Sequence, residues 1–263
     1  LPPGLELVTA NSRIYLSGMV GTALAGVGGG GLAFFGAEWA LRFAFVVYGI
    51  GTILAIRLPA QVDTVTDDET VGIGDVGRPR HGVPGLVVLA LRANAAFRAL
   101  TGFLIIFMAF LLREQPLDGV PVGLQVGVIA AAAGVGNLVG TSLGALAEAR
   151  RPEVIVQALL AASVVITALG ATFYGLIAIG ALGLTAGFAQ QLGKLSLDAL
   201  IQRDVPEHVR NSVFARSETV LQLAWVLGGI LAIVMPLIPQ LGLGIAAVGL
   251  AIGLVLVRRT ARK

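Results

Sequence analysis

The chain has 263 residues, of which 56% are hydrophobic and only 13% charged, with a formal net charge of +3 and a mean hydropathy of +0.90. A water-soluble domain keeps about 25% charged residues to wet its surface, so composition excludes a soluble-type enzyme and points to a polytopic helical membrane protein. There is no cysteine, which also excludes a disulfide framework and a thiolate metal site.

A span needs about 20 apolar residues to cross a hydrocarbon core of roughly 30 Å. Eight runs meet that need: 14–35, 39–56, 93–112, 120–146, 154–174, 176–193, 212–235 and 241–257. The predicted fold class is all-α, a transmembrane bundle of eight spans arranged as two plus six. The first run carries Gly18, Gly21, Gly26 and Gly28 to Gly31. Small residues let a neighbouring backbone come close, so Gly26, Gly28 and Gly29 are read as helix-packing positions. After the second run, residues 58–92 carry Asp63, Asp67, Asp68, Glu69 and Asp75, then Arg78-Pro79-Arg80-His81-Gly82. That stretch reads as a cytoplasmic linker, giving domains at 1–57, 58–92 and 93–263. The apolar piece 84–91 is too short to cross and reads as interfacial or as the approach to the third span.

Arg98 lies about six residues inside the third span, within snorkelling reach of the cytoplasmic surface, and reads as a topology anchor. The fourth span carries Gly136, Gly140 and Gly144 on one face, with Asn137 beside them. The sixth holds Gln190 and Gln191 near its cytoplasmic end, followed by Lys194 and Asp198. On the seventh, Glu218, Gln222 and Trp225 recur at i, i+4 and i+7, one helical face. An ionisable group near mid-bilayer costs about 3 kcal/mol or more, so it faces a bundle interior or a watery cavity. Asn137, Gln190, Gln191, Gln222 and Trp225 are therefore candidate substrate-cavity residues. The plainer alternative is that the amides tie helices together, at about 0.6 kcal/mol per hydrogen bond. Gly136 and Gly140 are read as packing positions.

Threading the eight spans places Arg13, Arg57, Arg78, Arg80, Arg92, Arg98, Arg150, Arg151, Lys194, Arg203, Arg210, Arg216, Arg258, Arg259, Arg262 and Lys263 on one side, and only Arg42 and Arg113 on the other. Basic loop residues stay cytoplasmic, so both ends of the chain are expected in the cytoplasm, at the cell (inner) membrane. Their expected contact is the bilayer's anionic head groups, not nucleic acid. His81 and His208 lie in polar loops without ligand-spaced partners. No metal-ligand spacing, nucleophile elbow or phosphate loop occurs, so neither enzyme activity nor a cofactor or metal is expected.

Four segments carry a family resemblance. Leu7-Val8-Thr9-Ala10-Asn11-Ser12 resembles the loop before the fifth span of the major facilitator superfamily in its exporter-like branches. Ala25-Gly26-Val27-Gly28-Gly29 matches the glycine-rich part of that span but lacks the proline of the antiporter branches. Gln202-Arg203-Asp204-Val205-Pro206-Glu207-His208-Val209-Arg210-Asn211-Ser212-Val213-Phe214-Ala215 resembles the loop before the eleventh span, where the common form has Gly-Arg in place of Asn211-Ser212. Gly144, Glu148, Arg150 and Arg151 resemble a degenerate second copy of the family's cytoplasmic G-x-x-x-D-R-x-G-R-R motif, and with Glu218 they are the gating candidates.

The resemblance covers nearly the whole chain and implies spans five to twelve of a twelve-span transporter, so the chain alone is expected not to transport. It implies a secondary transporter working by alternating access. The implied activity is efflux of a hydrophobic or amphipathic small-molecule substrate, with proton coupling as an option. Few charges line the spans, which suits a substrate that is neither strongly anionic nor a metal ion. Two rivals are a non-transporting membrane scaffold or assembly subunit, and the membrane subunit of an ATP-driven permease, for which no loop stands out as a coupling helix.

Overall fold

The computed structural model describes residues 18, 21, 24–57, 84–147 and 151–261. The acidic part of the linker, Glu148 and Arg150 lie outside those residues. Every described element is an α-helix, a turn or a bend. Among the described residues seven helices are long and apolar enough to cross a membrane, and an eighth apolar helix is described over Leu24–Ala33. The chain divides into two compact units, Leu1–Val71 and Gly72–Lys263.

In the first unit, α1 (Leu24–Ala33) turns into α2 (Ala37–Ile56). The turn depends on Gly36, whose φ of 134° is a left-handed conformation that disfavours any side chain. A Cβ at that position would stand 2.6 Å from a Glu38 carboxylate oxygen. Glu38 lies in the first turn of α2, where the helix dipole favours an anion. Arg42 lies over the Trp39 ring at 4.8 Å, a cation–π contact. Of the predicted packing glycines, Gly28 and Gly29 lie under the Phe43 ring, where a Cβ on Gly28 would come within 3.2 Å of it. Gly26 has nothing within 4 Å of a Cβ built on it among the described residues.

The second unit holds six helices: α3 (Gly85–Glu114), α4 (Val122–Ala147), α5 (Pro152–Thr172), α6 (Leu176–Asp204), α7 (Glu207–Val234) and α8 (Pro239–Ala261). Prolines begin several of them. Pro84 and Pro206 precede α3 and α7, and Pro152 and Pro239 open α5 and α8, positions where a missing N–H costs no helical bond. α3 begins at Gly85, so the 84–91 stretch is its first two turns rather than linker. α6 continues eleven residues beyond the hydropathy boundary at Gly193, because Ser196, Leu197, Leu200 and Ile201 remain buried there.

The loop from α3 to α4 is held by Gln125, which is fully buried. Its amide nitrogen donates to the carbonyls of Leu117 (3.2 Å) and Val120 (2.7 Å), and its oxygen accepts from Leu117 N–H at 3.1 Å.

The helices pack chiefly as α4 on α6, α3 on α7, α5 on α8, α5 on α6, α3 on α6 and α3 on α8. Exchanging α3, α4 and α5 for α6, α7 and α8 maps this set of pairs onto itself. Apolar side chains outside the bundle would rest in lipid as comfortably as against each other, so close backbone approach supplies the cohesion. On α4, a Cβ at Gly136 would strike the backbone of Leu184 and Phe188, and one at Gly140 would lie 3.0 Å from the Phe188 carbonyl. On α6, Gly183 and Gly187 face the carbonyls of Ile129 and Ala133. α3 and α7 meet the same way, Gly102 against the Trp225 carbonyl and Gly228 against that of Ala99. Phe97, Phe103 and Phe107 fill the centre, Phe103 stacking on Phe107 at 4.9 Å.

Replacing Gly187 by Ala is expected to cost about 1–3 kcal/mol, the usual range for overpacking. Gly249→Ala, where nothing lies within 4 Å of the added Cβ, is expected to be neutral or slightly stabilising. Thermal unfolding midpoints in detergent check both.

Candidate functional site

Charged side chains from three helices, α3, α6 and α7, meet in one cluster. Lys194 Nζ on α6 lies 2.8 Å from Asp198 Oδ1, one turn along the same helix, and 3.2 Å from Glu218 Oε2 on α7. Arg98 on α3 approaches the other oxygen of Glu218 at 3.9 Å. Two cations and two carboxylates make the cluster neutral. Each charge alone would be costly within a span, and mutual pairing offsets that cost. Arg98, expected to be a topology anchor, instead joins the cluster. The side chains of Arg98, Lys194 and Asp198 are mostly covered, at 22%, 24% and 27% exposure, and Glu218 is 42% exposed.

Helical spacing makes the cluster possible. Gln190, Lys194 and Asp198 recur every four residues on α6, and Glu218, Gln222 and Trp225 recur on α7. The buried positions of α7 are Ser217, Leu221 and Gly228, with Gly229 and Ala232 beyond them, which leaves Glu218 partly and Gln222 fully on an open flank. Trp225 is half-buried, with its carbonyl against Gly102.

The other cavity candidates lie along α4 and α6. Asn137 and Gln190 are half-buried, and Asn137 Oδ1 and Gln190 Oε1 are enclosed without a hydrogen-bond partner. Gln191 stands against α4, its Cβ 3.1 Å from a Cβ built on Gly140. The five candidates therefore fall into two groups, Asn137, Gln190 and Gln191 on the α4–α6 pair and Gln222 with Trp225 on α7 beside α3. Of the gating candidates, Gly144 faces the Leu195 side chain, and Arg151 is exposed at the N-terminus of α5.

Sequence reasoning missed Asn94. It is 2% exposed and donates from Nδ2 to the carbonyls of Ala90 and Gly193, both at 2.9 Å. The signal was its place one turn before Arg98, hidden by a hydropathy boundary at Ala93 that put it at the membrane edge. A cleft of about 590 Å³ at the opposite end of α5 and α6, lined by residues including Ile166, Leu169, Phe173 and Ile177, offers no ionisable or amide side chain. No group of His, Cys, Asp or Glu that could hold a metal ion occurs among the described residues.

Residues 2–229 match the family model of the Major Facilitator Superfamily. The chain belongs to that family. Its members are membrane transporters rather than enzymes, and the apolar helices agree in making this a multi-pass membrane protein. The chain is 31% identical over 266 residues to an uncharacterized protein of Mycobacterium leprae, an alignment covering 89% of this chain and 45% of the relative. Uncharacterized proteins from two strains of Mycobacterium tuberculosis are each 32% identical over 264 residues, covering 89% of this chain and 46% of theirs. The chain thus spans less than half the length of the curated relatives it matches. No solved structure matches it significantly.

Lys194→Met should destabilise by about 1–2 kcal/mol, between the values for exposed and buried pairs, because it strands Asp198. Adding Asp198→Asn should recover part of that loss. A double-mutant cycle on thermal midpoints measures the coupling.

Proposed function

We propose that the chain is part of a secondary transporter that exports a hydrophobic or amphipathic small molecule by alternating access. The observation that carries this reading is the neutral four-charge cluster joining α3, α6 and α7, with an open stripe of Gln222 and Trp225 continuing from Glu218. Paired charges on separate helices suit a gate, since they separate when helices move and cost little while together. The amide and the indole beside them suit a ligand with both polar and apolar parts. Asn137, Gln190 and Gln191 are a second group of proposed cavity residues, on α4 and α6, and Gly144, Glu148, Arg150 and Arg151 are the proposed gating residues.

The basic loops face the cytoplasm, residues 58–83 join a part at 1–57 to the six helices that begin at Gly85, and the membrane is the cell membrane. Proton coupling is the proposed energy input.

Gln222→Leu combined with Asn137→Leu in the full-length protein is expected to cut efflux at least tenfold with normal membrane insertion. Unchanged efflux refutes the cavity assignment, and lost complex assembly in its place favours a scaffold. The orientation has its own check, made easy by the absence of native cysteine in this chain. A cysteine at Asp118 should react with an impermeant maleimide in intact cells, and one at Glu207 only after permeabilisation.

A further inference from the structure

We propose that Asn94 is a positioning residue that holds Arg98 and Lys194 as a two-cation fork, shaped in advance for a carboxylate. Glu218 fills the fork in this structure. The inference rests on the reading of the charge cluster as a gate and names what keeps that gate in register.

Arg98 and Lys194 carry like charges on different helices, and both extend long, flexible side chains toward one carboxylate. Their mutual repulsion would separate them unless the backbones beneath were fixed. The fixed point is one residue from Lys194 and one turn from Arg98. Asn94 uses both hydrogens of its amide on helix carbonyls, Ala90 of its own helix and Gly193 of α6, each at 2.9 Å. Gly193 is bare for a reason, since a Cβ there would lie 2.8 Å from the Phe97 ring and 3.0 Å from Asn94 Oδ1. Hydrogen bond and ring contact together set how far α3 and α6 can slide or turn on each other. Glu218 belongs to neither helix of the joint and is the most exposed member of the cluster. The fork therefore stays in place when its carboxylate leaves, and its mouth opens on the flank of α7.

The test uses the full-length protein carrying Glu218→Ala, which removes the carboxylate shared by both cations and leaves Asp198 on Lys194, and acetate as the probe. At pH 7 and matched ionic strength, acetate should raise the thermal unfolding midpoint in a saturable way, by about 2 °C or more, where chloride does not. The rise should vanish in the Lys194→Met/Glu218→Ala and Asn94→Ala/Glu218→Ala proteins. If Asn94 were merely structural, Asn94→Ala would lower the midpoint yet leave the acetate response intact, and that result overturns the proposal. So does the lack of any acetate response in Glu218→Ala. Should Asn94→Ala fail to fold, Gly193→Ala displaces Phe97 and Asn94 and must abolish the response in its place. The measurement moves no solute, so its outcome is independent of whether a transport assay succeeds.

Discussion

Helices in lipid gain little by exchanging hydrocarbon for each other's apolar side chains, and this one constraint governs how the six-helix unit holds together. Dispersion between closely approaching backbones must supply the cohesion. That is why the glycines of α4 and α6 face carbonyls rather than side chains, and why α3 and α7 cross where Gly102 and Gly228 leave room. It also explains the exposed Leu, Val and Ile along α4, α7 and α8, which would be a liability in water and are ordinary in a bilayer.

The same medium that weakens apolar cohesion strengthens polar contacts. Lys194 serves two carboxylates and Glu218 two cations, so each charge is balanced by groups on at least one other helix turn or helix. This cluster and the amide of Asn94 specify how α3, α6 and α7 are turned. Packing determines that the helices touch, and the polar groups determine which faces touch.

Much of this was legible in hydropathy. Among the described residues the apolar runs correspond to helices, and Gly136 and Gly140 on α4 are visible as a packing stripe. The partner glycines on α6 were not, because Gly180, Gly183 and Gly187 follow a less regular spacing. Helix ends were misplaced where the chain leaves the hydrocarbon while remaining helical, as at Gly85 and between Lys194 and Asp204. That error concealed Asn94 and left Arg98 looking like a lone anchor, apart from Lys194, Asp198 and Glu218. Gln125 was equally hidden, since nothing in its own helix predicts that its amide closes a loop eight residues back.

The long helices have one more consequence. α3, α6 and α7 have 30, 29 and 28 residues, about 42–45 Å at 1.5 Å per residue, against an oily layer of roughly 30 Å. Their surplus turns stand on the side of the basic loops, where Val87, Ala90, Leu197, Leu200, Ile201 and Val205 form a separate apolar cluster that Leu221 completes from within the span. Out there the surroundings are head groups and water, and burying those side chains is driven as in a soluble protein. One molecule thus has two kinds of glue, one indifferent to water and one made by it. Urea and cooling, which weaken the second kind, loosen the protruding stalk before the part that lipid surrounds.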